Sequence, residues 1–196
     1  QRLLNEATAL QFIKQNTTIP VPTFMSCERD EHGAMHLVVE RIKGITASEV
    51  GQECRKPQGE AHVDAGQCTK CEEIVAKKVN EFVETKVIPE LHKLRHNETG
   101  LNGFVLPHQR VLDHDGRDEW RPKSSPCDEY VFRHGDLARH NIMVDAGLDV
   151  VAIVDWETAG FYPESWEHRL WELDREGYLN TFTDTLGIEG DIKLIT

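Results

Sequence analysis

The polar loop His134-Gly135-Asp136-Leu137-Ala138-Arg139-His140-Asn141, set between short apolar runs, constrains this chain more than any other feature. One run, residues 130–132, precedes it, and another, residues 141–144, follows. A third, residues 150–154, comes after the turn Asp145-Ala146-Gly147 and ends at Asp155-Trp156-Glu157. Apolar runs this short, bounded by turn-forming residues, read as strands. The pattern predicts a small β-hairpin with a functional loop at its start. Asp, Asn and Gly favour turns unaided, so each alone would mean little. Their fixed register within a strand–loop–strand frame is a far stronger signal than a lone motif.

A frame of this kind suits phosphoryl transfer. That reaction needs a carboxylate to orient the acceptor hydroxyl and take its proton, and oxygen ligands to hold magnesium on the phosphates. Asp136 is placed for the first role. Asn141, one loop turn later, can offer a neutral oxygen to the metal, and Asp155, closing an apolar strand, a charged one. The order Asp, Asn, hairpin, Asp is the protein-kinase arrangement in another form.

The rest of the chain surrounds that motif. Leu3, Ala7, Leu10 and Ile13 recur at helical spacing over residues 3–16. Ile19-Pro20-Val21-Pro22 then forces an extended exit. Residues 22–28 and 35–42 read as a hairpin across Arg29-Asp30-Glu31-His32-Gly33. Residues 51–70, rich in Gly, Gln and charge, read as loop or insertion. Apolar residues from Ile74 to Leu94 keep a helical period, which predicts a long amphipathic helix kinked near Pro89. Residues 97–128 read as loop, and Trp166, Leu170, Trp171, Leu173 and Tyr178 as a helix-like pattern.

Three stretches carry a family resemblance: Tyr130-Val131-Phe132-Arg133-His134-Gly135-Asp136, Asn141-Ile142-Met143-Val144-Asp145, and Ile153-Val154-Asp155-Trp156-Glu157-Thr158-Ala159-Gly160-Phe161-Tyr162-Pro163. Thr17-Thr18-Ile19-Pro20-Val21-Pro22 and Val38-Val39-Glu40-Arg41-Ile42-Lys43-Gly44 support them. With these the chain resembles the aminoglycoside phosphotransferase/choline kinase family, its fungal members in particular. The resemblance implies an α+β, protein-kinase-like fold, with residues 1–42 a partial N-lobe ending in the hinge and residues 43–196 a mostly helical C-lobe. It implies ATP and Mg2+ as cofactors, Asp136 as catalytic base, and Asn141 and Asp155 as magnesium ligands. His134 would shape the loop by hydrogen-bonding backbone near the metal. On the nucleotide side, backbone groups of Glu40 and Ile42 would meet the adenine edge, and Glu6 would pair with the ATP-positioning lysine.

The family places a glycine-rich hairpin and that lysine strand ahead of the first helix, whereas this chain starts at the helix. A truncated N-lobe is therefore expected, in a cut-short chain or a decayed gene product, with turnover weak or absent. The alternative expectation is a pseudokinase, a folded interaction or regulatory module. A protein kinase fits less well, because Asp155-Trp156-Glu157 and the lack of activation-segment signals favour a small-molecule acceptor.

The net charge of −12 argues against nucleic acid or an anionic membrane as partner. It favours a small-molecule hydroxyl substrate of cationic character, although a solvated acidic surface explains the same charge. No apolar stretch approaches bilayer length and no signal-peptide pattern opens the chain. With five cysteines, an odd count, a reducing, cytoplasmic setting is expected. Cys68-Thr69-Lys70-Cys71, with Cys54 and His62 nearby, offers four zinc ligands. No second CxxC occurs and the spacing matches no standard finger, so surface thiols at a helix start are expected. His92 and His96, four apart, are expected as partly exposed residues at a helix C-terminus. Glu164, Glu167, Glu172, Asp174 and Glu176 are expected on a solvated helix face, and Trp156, Trp166 and Trp171 in the core.

Overall fold

The first helix, α1 (Arg2–Asn16), turns Ala7, Ala9, Leu10 and Ile13 inward, as their spacing requires. It stops at Thr17, whose backbone N–H and Oγ1 both bond to the Ile13 carbonyl at 2.9 Å. The structure, a computed structural model, describes every residue except Gln58, Asp118, Glu167 and Thr196. Antiparallel strands β1 (Phe24–Arg29) and β2 (Met35–Val39) follow, and α1 packs against the pair. The hairpin is as expected, with its second strand ending at Val39, short of residue 42.

Strand β3 (Ile45–Thr46) leads into a 3-10 turn (Ala47–Gln52). Thr46 and Glu49 form a capping box there, each side chain serving the other's backbone N–H. The next helix, α2 (Thr69–Phe82), passes through a π-helical turn (Val83–Val87) into α3 (Ile88–Leu91). Pro89 has no N–H to give, and the wider π turn just ahead of it absorbs that loss without breaking the rod. The expected kink is thus a change of winding. The rod ends before His96, which lies in β4 (Arg95–His96), so His92 and His96 do not share a helix. The segment expected as loop contains a short helix, α4 (Gln109–His114).

Strands β5 (Tyr130–Arg133), β6 (Ile142–Val144), β7 (Val150–Ile153) and β8 (Gly160–Tyr162) complete two antiparallel sheets, ordered β4-β5-β8 and β3-β6-β7. The expected hairpin is β6–β7, with Ile142 opposite Ile153 and Met143 opposite Ala152. The loop of residues 134–141 therefore leaves the central strand of one sheet and enters the central strand of the other. Both its ends are anchored by strands paired on two sides.

Two 3-10 turns (Glu164–Trp166 and Leu170–Glu172) replace the helix-like pattern expected after residue 164. Helices α5 (Arg175–Thr183) and α6 (Ile188–Ile195) close the chain. The buried residues form two clusters. The larger joins α1, α2 and both three-stranded sheets, and includes Leu10, Val75, Phe132, Ile142, Trp156 and Trp171. The smaller packs Val105, Val111, Tyr162 and Trp166 against Ile188, Ile192 and Ile195 of α6. All three tryptophans expected in the core are there. Cys68 and Cys71 are both 0% exposed, which corrects the expectation of surface thiols: the start of α2 is packed into the core, not laid on it. Glu167, one of the expected acidic residues, lies outside the described residues.

Candidate active site

Gly135 opens the loop after β5 in the left-handed region, at φ +88°. A Cβ there would lie 2.6 Å from the Thr158 carbonyl oxygen, so no side chain fits. His134 is 1% exposed and spends both ring nitrogens on backbone. Its Nε2 bonds to the Val154 carbonyl at 3.0 Å, and its Nδ1 accepts from the Asp136 N–H at 3.3 Å. One donor and one acceptor fix a neutral imidazole. Burial accordingly pushes its pKa down to about 4. His134 thus ties the loop to the end of β7 and shapes it.

Asp136 sits at the centre of a ring of donors. Tyr178 of α5 donates its hydroxyl to both carboxylate oxygens at 3.2 Å. Asn141 Nδ2 reaches the Asp136 carbonyl at 2.8 Å and Oδ2 at 3.3 Å. His140 Nε2 lies 3.5 Å from Oδ2, and His108 Nε2 lies 3.4 Å from Oδ1. His108 caps α4 by accepting the Arg110 N–H on Nδ1, so its Nε2 carries the proton it turns to Asp136. Burial alone would raise the Asp136 carboxyl. The hydrogen bonds from His108 and His140 outweigh it and hold the group well below the usual carboxylate range.

The amide of Asn141 faces Asp136 through its nitrogen, and no hydrogen bond among the described residues uses its Oδ1. Asp155 adopts the left-handed region at φ +62°, uncommon for a residue with a side chain. Partial burial and the nearby carboxylates of Glu157 and Asp136 push its pKa up. Glu6, on α1, is raised further, to about 7, by burial first and then by Asp155 and Glu157. Arg2 partly offsets this crowding by pairing with Glu157 at 2.5 Å. Asn5 fastens α1 to the same strand end, donating to the Glu157 and Ala159 carbonyls at 3.0 and 2.8 Å. A small cavity of about 50 Å³ lies among Arg2, His108, Asp136, Asp155, Glu157 and Tyr178.

Asp136, Asn141, Asp155, Glu6 and His134 are thus brought together. Glu40 and Ile42 lie apart, on the extended segment after β2. The Glu40 N–H bonds to the Thr23 carbonyl, and its carboxylate takes the Thr23 hydroxyl at 2.6 Å. Its own carbonyl, and both backbone groups of Ile42, enter no hydrogen bond among the described residues. Arg2, His108, His140, Glu157 and Tyr178 were not singled out from the sequence. His140 lay inside the loop and Glu157 inside the motif, but nothing local marked His108 or Arg2.

Beyond Tyr178 and His140 a larger groove of about 770 Å³ opens between the 3-10 turn after β3, the start of α2 and residues 170–179. Glu49, Glu72 and Asp174 line it, with Arg139 and Arg175. The Arg139 guanidinium is occupied by the Trp171 and Glu172 carbonyls, both at 3.0 Å.

A family profile described as the phosphotransferase enzyme family, APH, matches residues 1–167. The chain belongs to the phosphotransferase enzyme family. Its α+β architecture is accordingly the kinase-like fold. A search of curated proteins returned no significant match. Among solved structures, the apo form of a thermostable mutant of aminoglycoside phosphotransferase APH(4)-Ia is similar at 12% identity and a TM-score of 0.44, over 81% of this chain. A ternary complex of that enzyme with ADP and hygromycin B is similar at 10% identity and a TM-score of 0.46, over 80% of this chain. This chain spans 57% of the length of each. No helix among the described residues is long and apolar enough to cross a membrane.

Proposed function

We propose that this phosphotransferase-family chain transfers the terminal phosphate of ATP to a small-molecule hydroxyl, with Asp136 orienting the acceptor. The observation that carries the reading is the Asp136 carboxylate, kept ionised by His108, His140 and Tyr178 on a loop anchored at both ends. A carboxylate this acidic is a weak base toward a free alcohol. It works by positioning the hydroxyl and receives the proton as the O–P bond forms and the alcohol becomes acidic. The groove beyond Tyr178 is of ligand size and is lined by Glu49, Glu72 and Asp174, which suits a cationic acceptor.

Asn141 and Asp155 fit the magnesium that the family implies. The spare Oδ1 of Asn141 and the carboxyl of Asp155, raised by burial and by Glu157 and Asp136, with the Glu6 carboxyl raised by burial and by Asp155 and Glu157, make a group short of positive charge. Bound there, the ion would draw negative charge off the phosphate oxygens. The unbonded backbone groups of Glu40 and Ile42 are the nucleotide's adenine contacts in this reading. A second reading, a pseudokinase acting as a non-catalytic interaction or regulatory module, is favoured by one observation: no salt bridge reaches Glu6 among the described residues.

Calorimetric titration with a non-hydrolysable ATP analogue, with and without Mg2+, tests the site. Magnesium-dependent binding that Asp155→Ala removes supports it; binding indifferent to both would sink it. Asp136→Asn should keep that binding and lower any phosphate transfer by about 10²–10⁴-fold, the usual range for a positioned acid–base group. Binding without transfer in the parent chain selects the second reading.

A further inference from the structure

Cys54, His62, Cys68 and Cys71 converge at the start of α2, away from the loop of Asp136. Each offers one ligand atom, and these four atoms all lie within 4.8 Å of one another. The Cys54 and Cys71 sulfurs are 3.9 Å apart, and His62 Nδ1 is 3.5 Å from the sulfurs of both Cys68 and Cys71. For tetrahedral zinc with Zn–S about 2.3 Å and Zn–N about 2.05 Å, the edges are about 3.8 Å for S···S and about 3.6 Å for S···N. The three edges just given match those values, and the remaining three lie within 4.8 Å. We infer that these four residues bind one structural Zn2+ as a closed Cys3His site, with spacing Cys-x7-His-x5-Cys-x2-Cys.

Two plainer readings account for less. As a disulfide pair, Cys54 and Cys71 are far beyond bonding distance, and all five cysteines are free. As small core residues, Cys68 and Cys71 would need no polar partner, yet His62 reaches in from a polar loop to place Nδ1 between them. The surroundings also suit thiolates. The His62 N–H donates to the Cys54 sulfur at 3.2 Å, and the Arg55 N–H to the Cys71 sulfur at 3.5 Å. Backbone donors of this kind orient metal-bound sulfur. Cys68 is the N-cap of α2 and Cys71 lies in its first turn, at the positive end of the helix. On binding, the three thiols release their protons to solvent and the imidazole ligates as the neutral ring.

The site has a structural consequence. The segment from residue 53 to residue 68 contributes few apolar anchors, and zinc would fasten it, through Cys54 and His62, to Cys68 and Cys71 at the start of α2. Gly51, Gln52, Gln67 and Glu72, each beside or near a ligand, line the groove that also meets Tyr178 and His140. The metal would thus hold one wall of that groove. This inference is independent of the proposed transfer reaction.

The test uses the full chain, reduced, incubated with zinc alone and then desalted. One equivalent of zinc should remain, and chelation should lower Tm. With Co2+ in place of zinc, the spectrum should show the intense visible bands of a tetrahedral site and near-ultraviolet thiolate charge transfer. Cys68→Ser and Cys71→Ser disturb the core and can fail to fold, so the half-buried His62 serves as second variant. His62→Ala should weaken retention at least about 10-fold and shift the visible cobalt bands while keeping the thiolate absorption. Cys127→Ser, at an exposed residue outside the cluster, should change nothing. Retention of no zinc or cobalt by the folded, reduced chain overturns the inference, as does a disulfide within the four residues in chain isolated without oxidant.

Discussion

Asp136 and Glu6 titrate in opposite directions because their neighbours differ. Donors from His108 and His140 prevail over burial at Asp136, so its folded pKa lies below the unfolded value. Its contribution to stability is present above about pH 4 and is lost as pH falls. Glu6 is the reverse case: burial and two neighbouring carboxylates raise it from 4.5 to about 7. Its contribution is intact below pH 4.5 and is lost as pH rises to about 7. His134, buried and neutral with a pKa of about 4, overlaps with the opposite sign, losing stability as pH falls from 6.5. The profile of the parent chain alone is therefore not diagnostic, but its difference from a variant is. Glu6→Gln should raise Tm above pH 7 and leave it unchanged below pH 4.5, in metal-free buffer. A uniform shift across pH would show that Glu6 does not carry that charge strain. Added Mg2+ should stabilise the parent chain at pH 8 more than the variant. At this scale Asp136, Asn141 and Asp155 were legible because their spacing is local. His108 and Arg2 were not, since each meets the site only through the packing of a distant helix.

The loop of residues 134–141 is held as an element, from β5 through His134 and Gly135 to β6. Gly135→Ala would put a methyl group 2.6 Å from the Thr158 carbonyl while keeping a left-handed backbone. The conformation alone costs about 1–2 kcal/mol, and the clash adds to it. The expected result is a lowered denaturation midpoint with an unchanged m-value; a midpoint within error of the parent would mean the loop has room to shift. The hairpins were legible here because period-two patterns and Gly-bearing turns are local signals. The C-terminal pattern misled for a physical reason. Trp166 enters the smaller core and Trp171 the larger, so the chain must turn between them, and one helix cannot serve both. The CxxC does open a helix, as its place before an apolar period suggested, but its thiols are buried and not on the surface, because Cys54 and His62 fold over them from an irregular loop that no period announces.

Over the whole molecule, the smaller core connects the C-terminal helix to the chemistry. Ile188, Ile192 and Ile195 of α6 pack with Val111 of α4, and Arg110 of α4 lies 3.4 Å from Asp191 of α6. Helix α4 in turn begins at His108, whose ring is turned to Asp136 by the Arg110 N–H. A helix of six residues has little stability of its own, so α6 holds α4, and α4 holds His108. Ile188→Ala removes a side chain 2% exposed and should cost about 2–5 kcal/mol. The distinguishing readout is local. Amide exchange should quicken in α4 and α6 before it does in β5, β6 and α2, because the two clusters are separate. The Asp136 carboxyl should move up toward the ordinary range as His108 loosens, which carbon-detected NMR titration would follow. Loss of stability spread evenly over both clusters, with Asp136 unmoved, would mean that the larger core alone positions the loop and that α6 only covers it.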